Sequence, residues 1–383
     1  MTARERLLAA LKGRSVDRVP LVMPGFTFIT HDAIDAHPDP RRREVAHRVH
    51  DWVAYDIQVP SLINRYLITP PQRIRQEVVP LTNGFQEIRG TIDTPKGELK
   101  FVTQFDPVSG TTWTQEYPVK TLHDLETIAS VPWELPEGLA PPTEIEAEDF
   151  DTRGYCRTQI SSPFVCVAGM MKFEQFLEFT ATEPTLIDEL TDICLKRTLD
   201  VLSVLLSKPG IEVVWIGGSE WVTPPMASPR VYDRLVQEQE RRLIETIHAA
   251  RSHEQGKIAV HVHCHGNVRQ ALERMIERGT DYTEPVEPPP DGDITMAEAK
   301  QLAAGRITLG GNVECRVLCN GLGDEVEAAV RAAFDGGKER FILRPTEGPS
   351  PTMDERESRN WMMMVNMWEA LSPVAAGPAA GDS

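Results

Sequence analysis

The 383-residue sequence has little cysteine: six residues, none in a Cys-x-x-Cys pair, so a disulfide framework is not indicated and free thiols are expected. Long apolar runs are absent too, and nothing approaches the roughly 18 residues that a membrane-spanning helix needs. Basic residues are outnumbered, with 40 Lys and Arg against 57 Asp and Glu, a formal net charge of −17. That balance lacks the basic stripe of a nucleic-acid binder and suits a protein handling small molecules. The opening Met1 to Leu7 carries no apolar signal-peptide stretch, so a cytoplasmic location is expected. What is present in quantity is hydrophobic residue, 41% of the chain, enough to bury a large core.

The order of patterns predicts an α/β fold. Residues 2 to 12 read as a helix, with Thr2 and Glu5 placed as a capping box and Gly13 ending it. Strand-like runs follow at Arg18 to Met23, Tyr55 to Val59, Arg157 to Ser161, Val213 to Gly217, Ile258 to His263, Tyr282 to Val286, Ile307 to Gly310 and Arg340 to Leu343. Between them lie amphipathic helices, one with Val268, Leu272, Met275 and Ile276 on a face and another with Val326, Val330 and Phe334. Gly279 and the pair Gly336-Gly337 close these helices. Strands alternating with helices imply a parallel sheet, and about eight of them imply a (β/α)₈ TIM barrel. Residues 73 to 135 interrupt this rhythm after the second strand; within them Ile88 to Phe101 alternates like a hairpin around Pro95-Lys96-Gly97, a β-rich insertion. Residues 1 to 374 are read as one barrel carrying that insertion, Pro132 to Ala147 as a surface connection, and 375 to 383 as a disordered tail.

The chemistry centres on His261-Val262-His263-Cys264-His265-Gly266. On a strand, period 2 sends His261, His263 and His265 to one face and Cys264 to the other. Three imidazoles at the C-terminal end of a barrel strand form a metal-ligand pattern, although His261, the deepest, also suits a structural role. A further ligand must come from another strand end, and Glu220, Glu284, Glu287, Glu314 and Glu347 are all candidates.

The chain resembles the uroporphyrinogen decarboxylase superfamily, closest in pattern to its zinc-dependent, cobalamin-linked methyltransferases. The likeness rests on Arg4 to Gly13 followed by Asp17-Arg18-Val19-Pro20, on Ser219 with Ser228-Pro229-Arg230-Val231-Tyr232, on His263-Cys264-His265-Gly266-Asn267, on Gly311-Asn312-Val313-Glu314, and on Phe341 to Gly348. In those methyltransferases a His-x-Cys pair and a later cysteine bind zinc. The matching positions here are His263, His265 and Glu347. The resemblance therefore implies a two-histidine, one-carboxylate zinc site with both sulfur ligands replaced by other competent ligands. The decarboxylase's arginine-rich N-terminal segment is replaced by Met23-Pro24-Gly25-Phe26-Thr27-Phe28, which argues against an octa-anionic tetrapyrrole substrate. Asp56 resembles the acid after the family's second strand and stands as a candidate catalytic group.

Exchanging two thiolates for an imidazole and a carboxylate makes the metal a stronger Lewis acid, suited to polarising an oxygen. The resemblance thus implies methyl transfer between a small O-, N- or S-methylated compound and a corrinoid (cobalamin) carried by a partner protein, since the chain has no Asp-x-His-x-x-Gly cobalamin motif of its own. Glu220 and Glu284 are candidate proton donors or histidine orienters. Phe26, Phe28 and Arg344 are candidate substrate contacts, and a homodimer is implied by the superfamily. Two rivals remain at this level. One is a metal-independent decarboxylase or lyase of a small acid that uses the histidines as acid-base groups. The other is a non-enzymatic corrinoid or tetrapyrrole carrier.

Overall fold

The apolar runs of the sequence become a parallel sheet in a computed structural model, which describes residues 1–142, 147, 149–251 and 256–374. The expected tail at 375 to 383 and part of the expected connection at 132 to 147 lie outside the described residues. Seven strands pair in the order β1 (Tyr55–Val59), β6 (Gly154–Ser161), β7 (Val213–Gly217), β8 (Ala259–His263), β9 (Tyr282–Glu284), β10 (Thr308–Val313) and β11 (Phe341–Pro345), all in parallel. The run at Arg18 to Met23 is not a full strand. Leu21 bridges Leu343 in parallel, Val22 N–H donates to the Leu343 carbonyl at 3.0 Å, and Leu343 N–H donates to that of Pro20 at 3.0 Å. Pro20 itself has no N–H to add to a ladder, and Pro24 ends the run. Among the described residues no ladder joins this segment to β1, so the wall is a curled sheet of seven strands plus one bridge.

Alternation along each strand sends every second side chain inward. Val22, Asp56 of β1, Tyr155 and Arg157 of β6, Trp215 of β7, His261 and His263 of β8, Tyr282 and Glu284 of β9, and Arg344 of β11 all line one interior cavity of about 370 Å³. Its floor is the helix Ala3–Leu11, which inserts Leu7 and Leu11 beneath the strands. The Thr2–Glu5 capping box is present on that helix, and Gly13 adopts a φ of +68° just past its end.

The insertion after β1 folds as an antiparallel sheet of β2 (Ile74–Pro80), β3 (Gln86–Thr94), β4 (Gly97–Asp106) and β5 (Thr111–Glu116). Ile92, Leu99 and Phe101 bury its inner face against the core. No helix among the described residues is long and apolar enough to cross a membrane.

Candidate metal centre

Strand β8 ends two residues earlier than periodicity suggests, because β9 is short. His263 pairs with Glu284 and Cys264 N–H donates to the Glu284 carbonyl at 2.9 Å, but the following Val286 N–H turns to the Gly310 carbonyl of β10 at 3.1 Å, so the ladder with β8 stops. His265 therefore stands in the loop above β8 rather than on the strand. Cys264 is fully buried on the opposite face, where burial pushes its thiol pKa well up.

Each histidine has one ring nitrogen fixed. His261 Nε2–H donates to Glu284 Oε1 at 2.7 Å, and His263 Nδ1–H donates to the same oxygen at 2.9 Å. Glu284 is buried at 2% side-chain exposure, and its other oxygen pairs with the Arg344 guanidinium. Burial alone would raise the Glu284 pKa. The Arg344 charge and the two imidazole hydrogen bonds outweigh that, holding the carboxyl ionised well below the usual range. Burial pushes His261 down to about 4, so it is a neutral donor at physiological pH.

His265 is held in the same way by a different acid. Its Nδ1–H donates to Glu287 Oε1 at 3.0 Å, while the other Glu287 oxygen accepts the Gly266 N–H. Burial pushes His265 toward its neutral form, but the hydrogen bond and charge of Glu287, with the charges of Glu347 and Glu284, raise its pKa overall. His263 and His265 meet edge to face, with ring centroids 4.6 Å apart at 84°. Trp215 stacks on His263 at 5.2 Å.

This pattern leaves Nε2 of both His263 and His265 with its lone pair uncommitted to an acid at Nδ1, the arrangement in which imidazoles bind metal. His265 Nε2 lies 3.5 Å from Glu347 Oε1. That is long for a hydrogen bond but close to the ~3.4 Å edge between N and O ligands of one tetrahedral zinc. Glu347 is 68% exposed, so its side chain can swing toward the histidines. Glu220 completes the rim. Gly218, at φ +102° and with Val165 where a Cβ would stand, turns the chain sharply after β7. The Glu220 carboxyl follows, with a buried Oε2 that has no hydrogen-bond partner. Burial raises its pKa, opposed by its backbone hydrogen bond and the nearby His263 and His265. The donors at this mouth therefore suit a zinc ion: two oriented imidazoles, an exposed carboxylate and an orphaned buried oxygen.

The structure thus brings His263, His265, Glu347, Glu220, Glu284 and Arg344 together. Arg344 lines the interior cavity and is paired there with Glu284 and hydrogen-bonded to Tyr282. Asp56 lies in the same interior cavity but is spoken for, accepting from Arg157 Nε at 3.1 Å and from Gln58. Phe26 and Phe28 do not line it. Thr27 faces the cavity, so its neighbours face away; Phe26 is 1% exposed against Trp361, and Phe28 packs on the core with its edge toward His37. Sequence reasoning had Glu287 only as one carboxylate among five and passed over Trp215. The spacing Glu284-Pro285-Val286-Glu287, two acids bracketing a strand end beside the histidine strand, was the available signal.

A tighter group of donors lies elsewhere. The ligand atoms of His31, His50 and Asp51 fall within 4.8 Å of one another. Here, however, His50 Nε2 accepts from Arg153 Nη1 at 2.6 Å, so its Nδ1 carries the hydrogen given to Asp51 at 3.0 Å. The His31 and His50 rings stack at 3.9 Å and 29°, which sets their in-plane lone pairs side by side. Neither His50 nitrogen is free without losing a partner.

The family model described as "Uroporphyrinogen decarboxylase (URO-D)" matches residues 119–368. No curated protein sequence matches the chain. A solved methyltransferase from Methanosarcina mazei superposes with a TM-score of 0.58 at 16% identity, covering 96% of this chain and 99% of that one. At that identity the likeness is one of fold. A B12-independent methionine synthase from Shewanella sp. W3-18-1, in complex with selenomethionine, gives a TM-score of 0.39 at 10% identity, covering 79% of this chain and 77% of that one, too low to carry an argument.

Proposed function

The chain belongs to the uroporphyrinogen decarboxylase family, and on that premise we propose that it is a zinc-dependent methyltransferase moving a methyl group between a small methylated compound and a corrinoid on a partner protein. The observation that carries this reading is the paired imidazole geometry: His263 and His265 each donate Nδ1–H to a buried carboxylate and keep Nε2 for a metal. His263, His265 and Glu347 would hold the zinc, which supplies Lewis-acid stabilisation of the heteroatom that the methyl leaves. The fold likeness to a methyltransferase, over nearly the whole of both chains, is consistent with it.

The protein's own side chains divide the remaining work. Glu284 and Glu287 orient the two imidazoles, each accepting an Nδ1–H so that Nε2 is the nitrogen left for metal. Glu220, whose pKa burial raises, is placed at the rim to give a proton to a departing oxygen. Trp215 stacks on His263 and braces its ring from the barrel side. The rival decarboxylase reading is less well supported. It wants a free cation for a substrate carboxylate, yet Arg157 and Arg344 in the cavity are paired with Asp56 and Glu284. A homodimer built on one barrel, with residues 73 to 135 as its insertion, is part of the same proposal.

Metal analysis tests it. The purified protein should carry zinc near one equivalent, and His263→Ala and Glu347→Ala should each lose it together with methyl transfer to a reduced corrinoid, followed by visible absorption. Full activity in metal-free protein overturns the reading.

A further inference from the structure

Four of the six cysteines are buried, and the two that are partly exposed, Cys315 and Cys319, stand one turn apart on the helix Cys315–Asn320. Their sulfurs lie 3.5 Å from each other. Residues four apart on a helix have Cα atoms about 6 Å apart, inside the ~4.4–6.8 Å that a disulfide bridges. The pair faces the segment that leaves β11 and carries Glu347. Cys315 N–H donates to Thr346 Oγ1 at 3.0 Å, and Cys315 S–H donates to the Gly348 carbonyl at 3.0 Å. The Ser350 hydroxyl donates to Cys319 Sγ at 3.5 Å. The two cysteines therefore hold the residues on both sides of the proposed metal ligand. Glu357, 3% exposed, ties the same parts together: its Oε1 accepts the Ser350 N–H at 2.9 Å and the Cys319 S–H at 3.4 Å.

We infer that Cys315 and Cys319 are an oxidative modification site, a dithiol that hydrogen peroxide closes to a disulfide, loosening the Glu347 segment and with it the metal centre. The inference rests on the metal-dependent reading above and adds a regulation to it. Cys319 reacts first, because the Glu357 carboxylate is placed to take its proton. The sulfur attacks one peroxide oxygen, the O–O bond breaks, and a sulfenic acid forms while the departing hydroxide leaves with that proton as water. The Cys315 sulfur then displaces the sulfenic hydroxyl, forming the S–S bond and releasing a second water. Two thiols are oxidised by two electrons in all, and one peroxide is reduced. Burial, the hydrogen bond with Cys319 and nearby negative charge raise the Cys315 thiol pKa, which suits it to the second step and keeps its hydrogen on Gly348 until then. A disulfide has no S–H to give. The Gly348 carbonyl and Glu357 Oε1 each lose a donor, and the sulfurs turn toward each other instead of the loop. Co(I), the methyl acceptor proposed above, is itself consumed by oxidants, so a metal centre that slackens under peroxide stops when its acceptor is lost.

Peptide mapping and zinc titration of the same samples test this. Trypsin cuts after Arg316, between the two cysteines, so their disulfide is read as two peptides joined until reductant parts them. Metal-free protein treated with hydrogen peroxide should yield the joined pair. Its zinc affinity, by competition against a chelator of known affinity, should fall roughly tenfold or more, as for the loss of an orienting contact. Dithiothreitol should reverse both changes. Cys319→Ser and Cys315→Ser each keep a hydrogen-bond donor in place, so they should bind zinc like the parent and keep that affinity after peroxide. Either variant suffices if the other fails to fold. Unjoined peptides, a disulfide between other cysteines, or a Cys315–Cys319 disulfide that leaves zinc affinity unchanged would overturn the inference. The two readings fail separately. Peroxide-sensitive zinc binding without methyl transfer to a reduced corrinoid removes the methyltransferase reading and leaves the dithiol's role. Methyl transfer undiminished in the disulfide form does the reverse, and reduced protein that binds no zinc overturns both.

Discussion

In the proposed metal site, Glu287 is a positioning residue that would act without touching the metal. Its two oxygens take the His265 Nδ1–H and the Gly266 N–H, fixing both the tautomer and the loop. Glu287→Gln keeps the shape and removes the charge, and should weaken zinc by ~10–100-fold, the usual effect of losing such an orienting acid. Competition against a chelator of known affinity measures this, and unchanged affinity would detach Glu287 from the site. A second acid, Glu314, is 7% exposed with an unpartnered Oε1. Burial, then the charges of Glu287 and Asp291, push its pKa up to about 7 from an ordinary 4.5. The folded state therefore binds more protons than the unfolded state between those values, so stability falls as pH rises through that window and levels off above it. Glu314→Gln should add about 1–3 kcal/mol at pH 8 and almost nothing below pH 4. Urea titrations at the two pH values decide it, and an equal gain at both would rule out the ionisation as the cause. The histidine run was legible from residue types alone. Which acid orients which ring was not, because that depends on the register that sets His263 beside Glu284.

At the scale of elements, the reading succeeded where local chemistry decides and failed where pairing with a neighbouring strand decides. The Thr2–Glu5 box and the Gly13 stop define the floor helix from the neighbouring residues Thr2 to Gly13 alone. Two expected strands fall short: Pro20 has no N–H to add to a ladder, which leaves the first as a bridge, and the Val286 N–H turns to β10, which leaves β9 as Tyr282–Glu284. The insertion hairpin was likewise foreseen from alternation, but its attachment was not. Gly90 in β3 faces Phe101 in β4, and that ring lies across it while stacking on Tyr66 at 4.5 Å. A Cβ on Gly90 would stand 1.9 Å from the ring, which is 1% exposed and has nowhere to retreat. Gly90→Ala should therefore cost about 1–3 kcal/mol by overpacking. A lower urea midpoint with an unchanged slope would show this, and an unaltered midpoint would mean the ring turns aside freely.

For the whole molecule, the proposed metal is a tie between distant parts of the chain. His263 closes β8, His265 follows in the loop above it, and Glu347 follows β11, the strand to which the Leu21 segment bridges. The alternating pattern revealed a barrel-like sheet. It could not reveal that these two strand ends face each other across the mouth, since strand order is a property of the packed sheet. A ligand that binds only the folded state stabilises it by RT ln(1 + [L]/Kd), ~2.7 kcal/mol at a hundredfold excess over Kd. Zinc at that excess should raise the melting temperature by a few degrees, and chelation should reverse the gain. Glu347→Ala separates this from a general effect of divalent ions. Glu347 is 68% exposed and contacts His265 only at 3.5 Å, so its loss should leave the metal-free melting temperature within about 1 °C of the parent while abolishing the zinc-dependent rise. An undiminished rise in Glu347→Ala would move the metal off this triad, and the exposed carboxylate after β11 would lose its assigned role.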